Sequence, residues 1–226
     1  LETTIRAWSS DASVVTEGNT VTVTGTITAT SPLTLDIDSG VTVVWKAKTT
    51  FTTGNLKLTG SGVFELPTGG MVVSSIADTG ALNASGGTIK VTGGEVESTS
   101  TSGTASAIAL NSTSKLIMNG GKLKSAQYGI IIEGSGREVL NISDGTVESR
   151  LGIGPASYSY RNTMIVTGGH FSATGRKNVF DCSKDHLFFL GGTLSNIYNQ
   201  GGMEAIGKNS PAGPGFAVYW DTPGYP

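Results

Sequence analysis

The chain has 226 residues, of which 14% are charged, and a formal net charge of −2. That length is ample for a sizeable core, and the charge balance offers no basic surplus for nucleic acid or an anionic membrane. A single cysteine, Cys182, excludes an intrachain disulfide, and no run of about 18 apolar residues is present to span a bilayer.

Residues 1–19 read as an N-terminal cap, with Ile5, Trp8, Val14 and Val15 available to plug whatever follows. The chain opens at Leu1 without a leader, as a mature secreted protein or an excised piece would. Thr20–Thr30 (TVTVTGTITAT) alternates strictly and is predicted to be the first full strand. Leu35–Gly40 (LDIDSG) and Leu56–Gly62 (LKLTGSG) repeat one motif with slipped spacing, and residues 66–86 read as a longer excursion.

From residue 89 the pattern becomes regular. Ile89–Ser98 (IKVTGGEVES), Leu116–Ser125 (LIMNGGKLKS), Leu140–Ser149 (LNISDGTVES), Met164–Ala173 (MIVTGGHFSA) and Leu187–Asn196 (LFFLGGTLSN) align without a gap. Their starts are 27, 24, 24 and 23 residues apart, a period that marks a stacked solenoid. Strand alternation sends three apolar columns inward: Ile89/Leu116/Leu140/Met164/Leu187, then Val91/Met118/Ile142/Val166/Phe189, then Val96/Leu123/Val147/Phe171/Leu194. The Gly-Gly or Asp-Gly pair between the second and third columns falls where the chain turns a corner, which needs residues that tolerate positive φ. A further short strand is expected upstream of each segment, at Ala107–Leu110, Gly129–Ile132, Gly152–Gly154 and Asn178–Asp181. The expectation is an all-β chain: one parallel β-helix over residues 20–207, about 24 residues and three short strands per coil, with capped ends. Residues 208–226, with Pro211, Pro214, Pro223 and Pro226, read as a C-terminal cap or a linker to a further domain.

The recurring apolar-x-apolar-x-Gly-Gly-x-apolar-x-small pattern resembles the right-handed parallel β-helix of the pectate-lyase-like superfamily. More narrowly, it is similar to bacterial secreted β-helices that bind carbohydrate. The likeness covers residues 86–196 well and 20–70 loosely, and it rests on interior and corner residues. It implies the fold; the superfamily spans lyases, hydrolases, sugar-binding proteins, phage tail spikes and adhesins.

A lyase of that kind would cluster carboxylates on one outer face to hold calcium. The outer columns read Glu95/Lys122/Thr146/His170/Thr193 and Glu97/Lys124/Glu148/Ser172/Ser195. Charges of opposite sign alternate, so these columns are expected to form a ladder of surface ion pairs, with His170 a solvated member. Asp36 and Asp38 share a strand face, but two side chains fall short of the six to eight oxygens calcium takes. Asp181, Cys182, Asp185 and His186 are sequence neighbours at no zinc spacing. No catalytic residue is assigned, and calcium is the one cofactor considered.

Sugar binding needs aromatic platforms beside hydrogen-bonding groups. Tyr158, Tyr160, Arg161 and Asn162 form the best candidate, with Tyr128 and Tyr198 in nearby coils able to extend the surface. Trp45, flanked by Lys46 and Lys48, is a second platform if it faces outward and a core residue if it does not. One column departs from the pattern. Lys90/Ile117/Asn141/Ile165/Phe188, with Leu190 replacing a polar residue, turns apolar on a face that should be wet. The aromatic stretch 216–220 is expected to cover it, with a partner domain the alternative.

The functional expectation is a non-catalytic, secreted or cell-surface module that binds polysaccharide or a cell-surface glycan, in which flanking domains of a longer chain are allowed. A structural or adhesive stalk is the alternative, and a polysaccharide lyase comes after both. Ice binding would need flat threonine arrays over many rungs, which the later Glu- and Lys-bearing columns lack.

Overall fold

A computed structural model of the chain describes residues 1–133, 138–155, 162–175, 179–180 and 186–196. The chain winds as a parallel β-helix of about six turns. The first three coils each carry three strands: β2 (Thr20–Thr24), β3 (Thr26–Ala29) and β4 (Leu33–Ile37); β5 (Thr42–Trp45), β6 (Lys48–Phe51) and β7 (Leu56–Gly60); β8 (Val63–Leu66), β9 (Met71–Ser74) and β10 (Gly80–Ser85). The next coils carry β11 (Thr88–Ser98) and β12 (Ser106–Asn111), β13 (Lys115–Ser125) and β14 (Tyr128–Ile132), then β15 (Val139–Ser149) and β16 (Ile153–Pro155). They are followed by β17 (Thr163–Ala173) and β18 (His186–Asn196). The strands stack in register into a 12-stranded sheet and a 6-stranded sheet, β4-β7-β10-β12-β14-β16. Each return to the same sheet is a parallel crossover, for which the right hand is the rule.

The five aligned segments sit on one another as the spacing predicts. Ile89 pairs with Leu116, Leu116 with Leu140, Leu140 with Met164 and Met164 with Leu187. The three inward columns are buried along their length, with Leu194 at the last rung only partly so. The second sheet adds its own interior columns, Leu33-Leu56-Leu82-Ile108-Ile130-Ile153, with Phe180 bridged to Ile153. Each fully buried aliphatic side chain contributes about 1.5–3 kcal/mol of transfer free energy, set against the entropy of ordering it.

The early coils correct the sequence reading. LDIDSG and LKLTGSG are not counterparts of the Gly-Gly motif; they form β4 and β7 of the opposite sheet. Residues 66–86 are no excursion but part of a regular third coil, closed by β9 and β10. The counterparts of Ile89 are Val21, Val43 and Phe64, which pair in the same column at intervals of 22, 21 and 25 residues. The misreading has a physical cause: an inward-facing Leu-x-Leu followed by glycine looks the same on either sheet. Thr20–Thr30 is two strands, broken at Gly25. The expected three strands per coil hold for the first three coils only. From β11 onward the two strands of the first sheet fuse into one of 11 residues, with the corner surviving as a register shift at the glycine pair.

Corner length explains the difference. Counted by register, between the last in-register rung before the corner and the first one after it, the corner is two residues at Thr24-Gly25 and at Lys46-Ala47, four at Pro67–Gly70, and three in each later coil, as at Thr92–Gly94. In the three-residue corners the glycine geometry is obligatory. Gly121 takes φ +82°, and a Cβ there would run into the Gly94 carbonyl oxygen of the coil below.

At the N-terminal end, β1 (Ser13–Glu17) adds antiparallel to β2, preceded by the helix α1 (Glu2–Trp8). Ile5 and Val14 are buried, whereas Val15 is exposed, so Val15 does not plug the coil. The Trp8 ring lies 5.7 Å from Phe51 and 6.4 Å from Trp45, and its indole N–H donates to the Ser31 carbonyl. The Arg6 guanidinium donates to the Val14 carbonyl and pairs with Glu2 at 2.9 Å. The Thr16 hydroxyl, and then Arg6, hold the Glu2 carboxyl below its ordinary value of 4.5. The sign is that of a depressed carboxylate: its contribution is fully present above the ordinary value and is lost as pH falls through the lowered one. The segment 208–226 lies outside the described residues.

Candidate functional site

The outer face of the first sheet carries its polar side chains in straight columns because parallel register keeps like positions stacked, about 4.8 Å apart. The pairings Glu95–Lys122–Thr146–His170–Thr193 and Glu97–Lys124–Glu148–Ser172–Ser195 follow from register alone. Within this surface Lys124 meets Glu97 at 2.6 Å, and the Glu97 carboxylate holds the Lys124 ammonium above its ordinary value. Lys122 turns diagonally to Glu148 at 2.7 Å rather than to Glu95 beside it. The expected ion-pair ladder thus exists in part, with one pair along a column and one across columns. Both pairs are substantially exposed, so each contributes little to stability.

A shallow groove of about 270 Å³ follows the corner line across four consecutive coils. Glycine backbone at Gly69-Gly70, Gly93-Gly94 and Gly121 lines it, and Lys48, Met71, Glu95 and Lys122 provide its side chains. Those four side chains occupy one outward column, Lys48–Met71–Glu95–Lys122, on β6, β9, β11 and β13. The groove offers two ammonium donors, a carboxylate acceptor and an apolar thioether in one line. Sequence reasoning missed it because Lys48 and Met71 lie in the coils whose register was misread. The alternation of Lys48-Thr-Thr-Phe51 and Met71-Val-Val-Ser74 was the available signal.

The sequence-derived site residues fare differently. Tyr158, Tyr160, Arg161 and Tyr198 lie outside the described residues, as do Asp181, Cys182 and Asp185. Asn162 lies just before β17 and is buried, 1% exposed, so its side chain is an interior group of the described structure. Tyr128 begins β14, half-buried, with its backbone N–H donating to the Ala105 carbonyl. Trp45 is fully buried; its ring packs at a tilt between Trp8 and Phe64, and its N–H donates to the buried Thr49 hydroxyl at 3.2 Å. It is therefore a core residue and not a surface platform. Asp36 and Asp38 are exposed on one side of β4 and its end, and Asp36 accepts a hydrogen bond from Thr59 at 2.9 Å. No group of three or more His, Cys, Asp or Glu that could hold a metal ion occurs among the described residues. No helix among them is long and apolar enough to cross a membrane.

No family model, no curated protein and no solved structure matches the chain.

Proposed function

We propose that this chain is a non-catalytic, secreted or cell-surface β-helix module, of the pectate-lyase-like kind, that binds a polysaccharide. The observation that carries the reading is the groove over the corner line, which crosses four coils and sets Lys48, Met71, Glu95 and Lys122 in one column. A linear glycan presents hydroxyl rims that both donate and accept, and apolar ring faces between them. The groove column answers each: ammonium groups for ring and hydroxyl oxygens, a carboxylate for hydroxyl protons, and the Met71 thioether for a ring face. A long, open and shallow surface suits a polymer better than a small molecule, which would need an enclosed pocket. The tyrosine segment at Tyr158 and Tyr160 would supply stacking platforms to the same ligand class.

The test is a binding screen against soluble and insoluble plant, bacterial and host glycans, with calcium and with EDTA. Retention on one glycan class is expected. It should fall at least tenfold in the Lys48→Ala/Glu95→Ala double variant, and also in Tyr158→Ala or Tyr160→Ala, with melting temperature unchanged. Silence across the panel would transfer the chain to the structural-stalk reading. Calcium-dependent release of unsaturated, ultraviolet-absorbing products would transfer it to the lyases.

A further inference from the structure

The chain has four methionines, and the described structure treats them unequally. Met118 and Met164 are fully buried in the inward columns. Met203 lies outside the described residues. Met71 is half-buried and lines the groove over the corner line. Parallel register fixes it on both sides, with Lys48 on the preceding coil and Glu95 on the following one, each rung about 4.8 Å away. Its backbone N–H donates to the Ala47 carbonyl at 2.9 Å, so the backbone is held and the side chain alone is left to adjust. The glycines that line the groove beside it, Gly69, Gly70, Gly93 and Gly94, carry no side chain that could fold over the sulfur. Lys48 is exposed and takes part in no ion pair among the described residues, whereas Lys122 is held by Glu148.

We propose that Met71 is a peroxide-sensitive switch in the groove: oxidation to the sulfoxide turns an apolar contact into a hydrogen-bond acceptor for Lys48 and weakens glycan binding. The effect on glycan binding rests on the polysaccharide reading; the oxidation itself does not. A lone pair of the thioether sulfur attacks one oxygen of hydrogen peroxide. The O–O bond breaks, an S–O bond forms, and the second oxygen leaves as water with both protons. The sulfur gives up two electrons and the peroxide takes them. Susceptibility follows exposure, which singles out Met71 over Met118 and Met164, and methionine sulfoxide reductases reverse the step. The product is polar and chiral where the thioether was apolar and adaptable, so it no longer suits a sugar ring face. A lysine ammonium donates up to three hydrogen bonds, and a carboxylate accepts only. The new oxygen therefore finds its donor at Lys48 and not at Glu95, and the bond draws Lys48 over the surface that the thioether offered.

Peptide mass spectrometry of the full chain after brief treatment with dilute hydrogen peroxide tests the switch without any glycan. Met71 is expected to gain one oxygen about tenfold faster than Met118 and Met164, and the three rates should converge in guanidinium chloride, where burial is lost. In the oxidised chain, acetylation of Lys48 by acetic anhydride should slow about threefold, while the exposed Lys46 reacts as before. Equal oxidation of the three methionines in the folded chain would overturn the proposal, and so would unaltered Lys48 labelling once Met71 is oxidised. The binding arm uses whichever glycan the screen retains. Oxidation should lower its retention about tenfold, and Met71→Leu should abolish that response to peroxide. Full retention by the oxidised chain refutes the switch. Retention of no glycan by the untreated chain counts against the polysaccharide reading, whereas the oxidation and labelling rates still decide the chemistry at Met71.

Discussion

The first three coils and the later ones solve the same stacking problem with different materials. Between residues 20 and 85 the interior is built around tilted aromatic contacts, Trp45 with Phe64 and the Trp8 of the preceding helix with Trp45 and Phe51, and its corners are two, two and four residues by register. Between residues 88 and 173 the interior is mainly aliphatic, the corners are uniformly three residues, and the two strands of the first sheet run on as one. Yet Val21, Val43 and Phe64 lie in one column with Ile89 and Leu116. The lesson is that backbone register and inward burial define the coil, whereas corner chemistry is free to vary between coils.

The strongest way to break the comparison is to attack what both regions share. Val166 is fully buried in the second inward column. Val166→Asp places a carboxylate without a counter-charge in an apolar interior, a cost of several kcal/mol that exceeds the margin of most domains. Loss of the β-rich circular dichroism signal at 25 °C is expected, and retention of a cooperative native-like melt would refute the buried-column assignment. The next test separates the regions. Gly121→Val should destabilise by about 2–4 kcal/mol, since it combines strain at positive φ with a clash against the coil below. Lys46→Val, at an exposed two-residue corner, should change stability by less than about 0.5 kcal/mol. Equal denaturation midpoints for the two variants would erase the distinction between corner types. The smallest effect belongs to the surface. A double-mutant cycle on Glu97 and Lys124 should give a coupling of about 0.5 kcal/mol that fades with added salt. A coupling above about 2 kcal/mol would mean that this face is far less solvated than its exposure indicates.

The regular half of this fold was legible because three residues in every coil report on it at once. An apolar pair, a glycine pair and a third apolar residue fix phase, corner and phase again. That is why the alignment of Ile89, Leu116, Leu140, Met164 and Leu187 coincides with the observed register. In the early coils the glycine pair is absent or displaced, so nothing in the sequence distinguishes Leu35 on the second sheet from Val21 on the first. The charge columns were legible as columns, but the choice of Lys122 for Glu148 over Glu95 depends on rotamers that spacing does not encode. The groove was illegible for the same reason as the early coils: Lys48 and Met71 join Glu95 and Lys122 only once register is known. Trp45 shows the limit of reading a neighbourhood by its charges. Lys46 and Lys48 flank it, yet alternation turns its ring inward onto Phe64.

The corner line has one more consequence. Between β8 and β9 it holds Pro67-Thr68-Gly69-Gly70, two residues more than the corner below, and the strands on either side keep their pairing with Trp45's strand, with β6 and with β11. The fold therefore accommodates a longer corner there without disturbing its neighbours. A peptide or a second small domain spliced between Thr68 and Gly69 would emerge from the rim of the groove, while the load of holding the solenoid together stayed with strands that never meet it. Engineering in the laboratory has a ready place there to add new specificity.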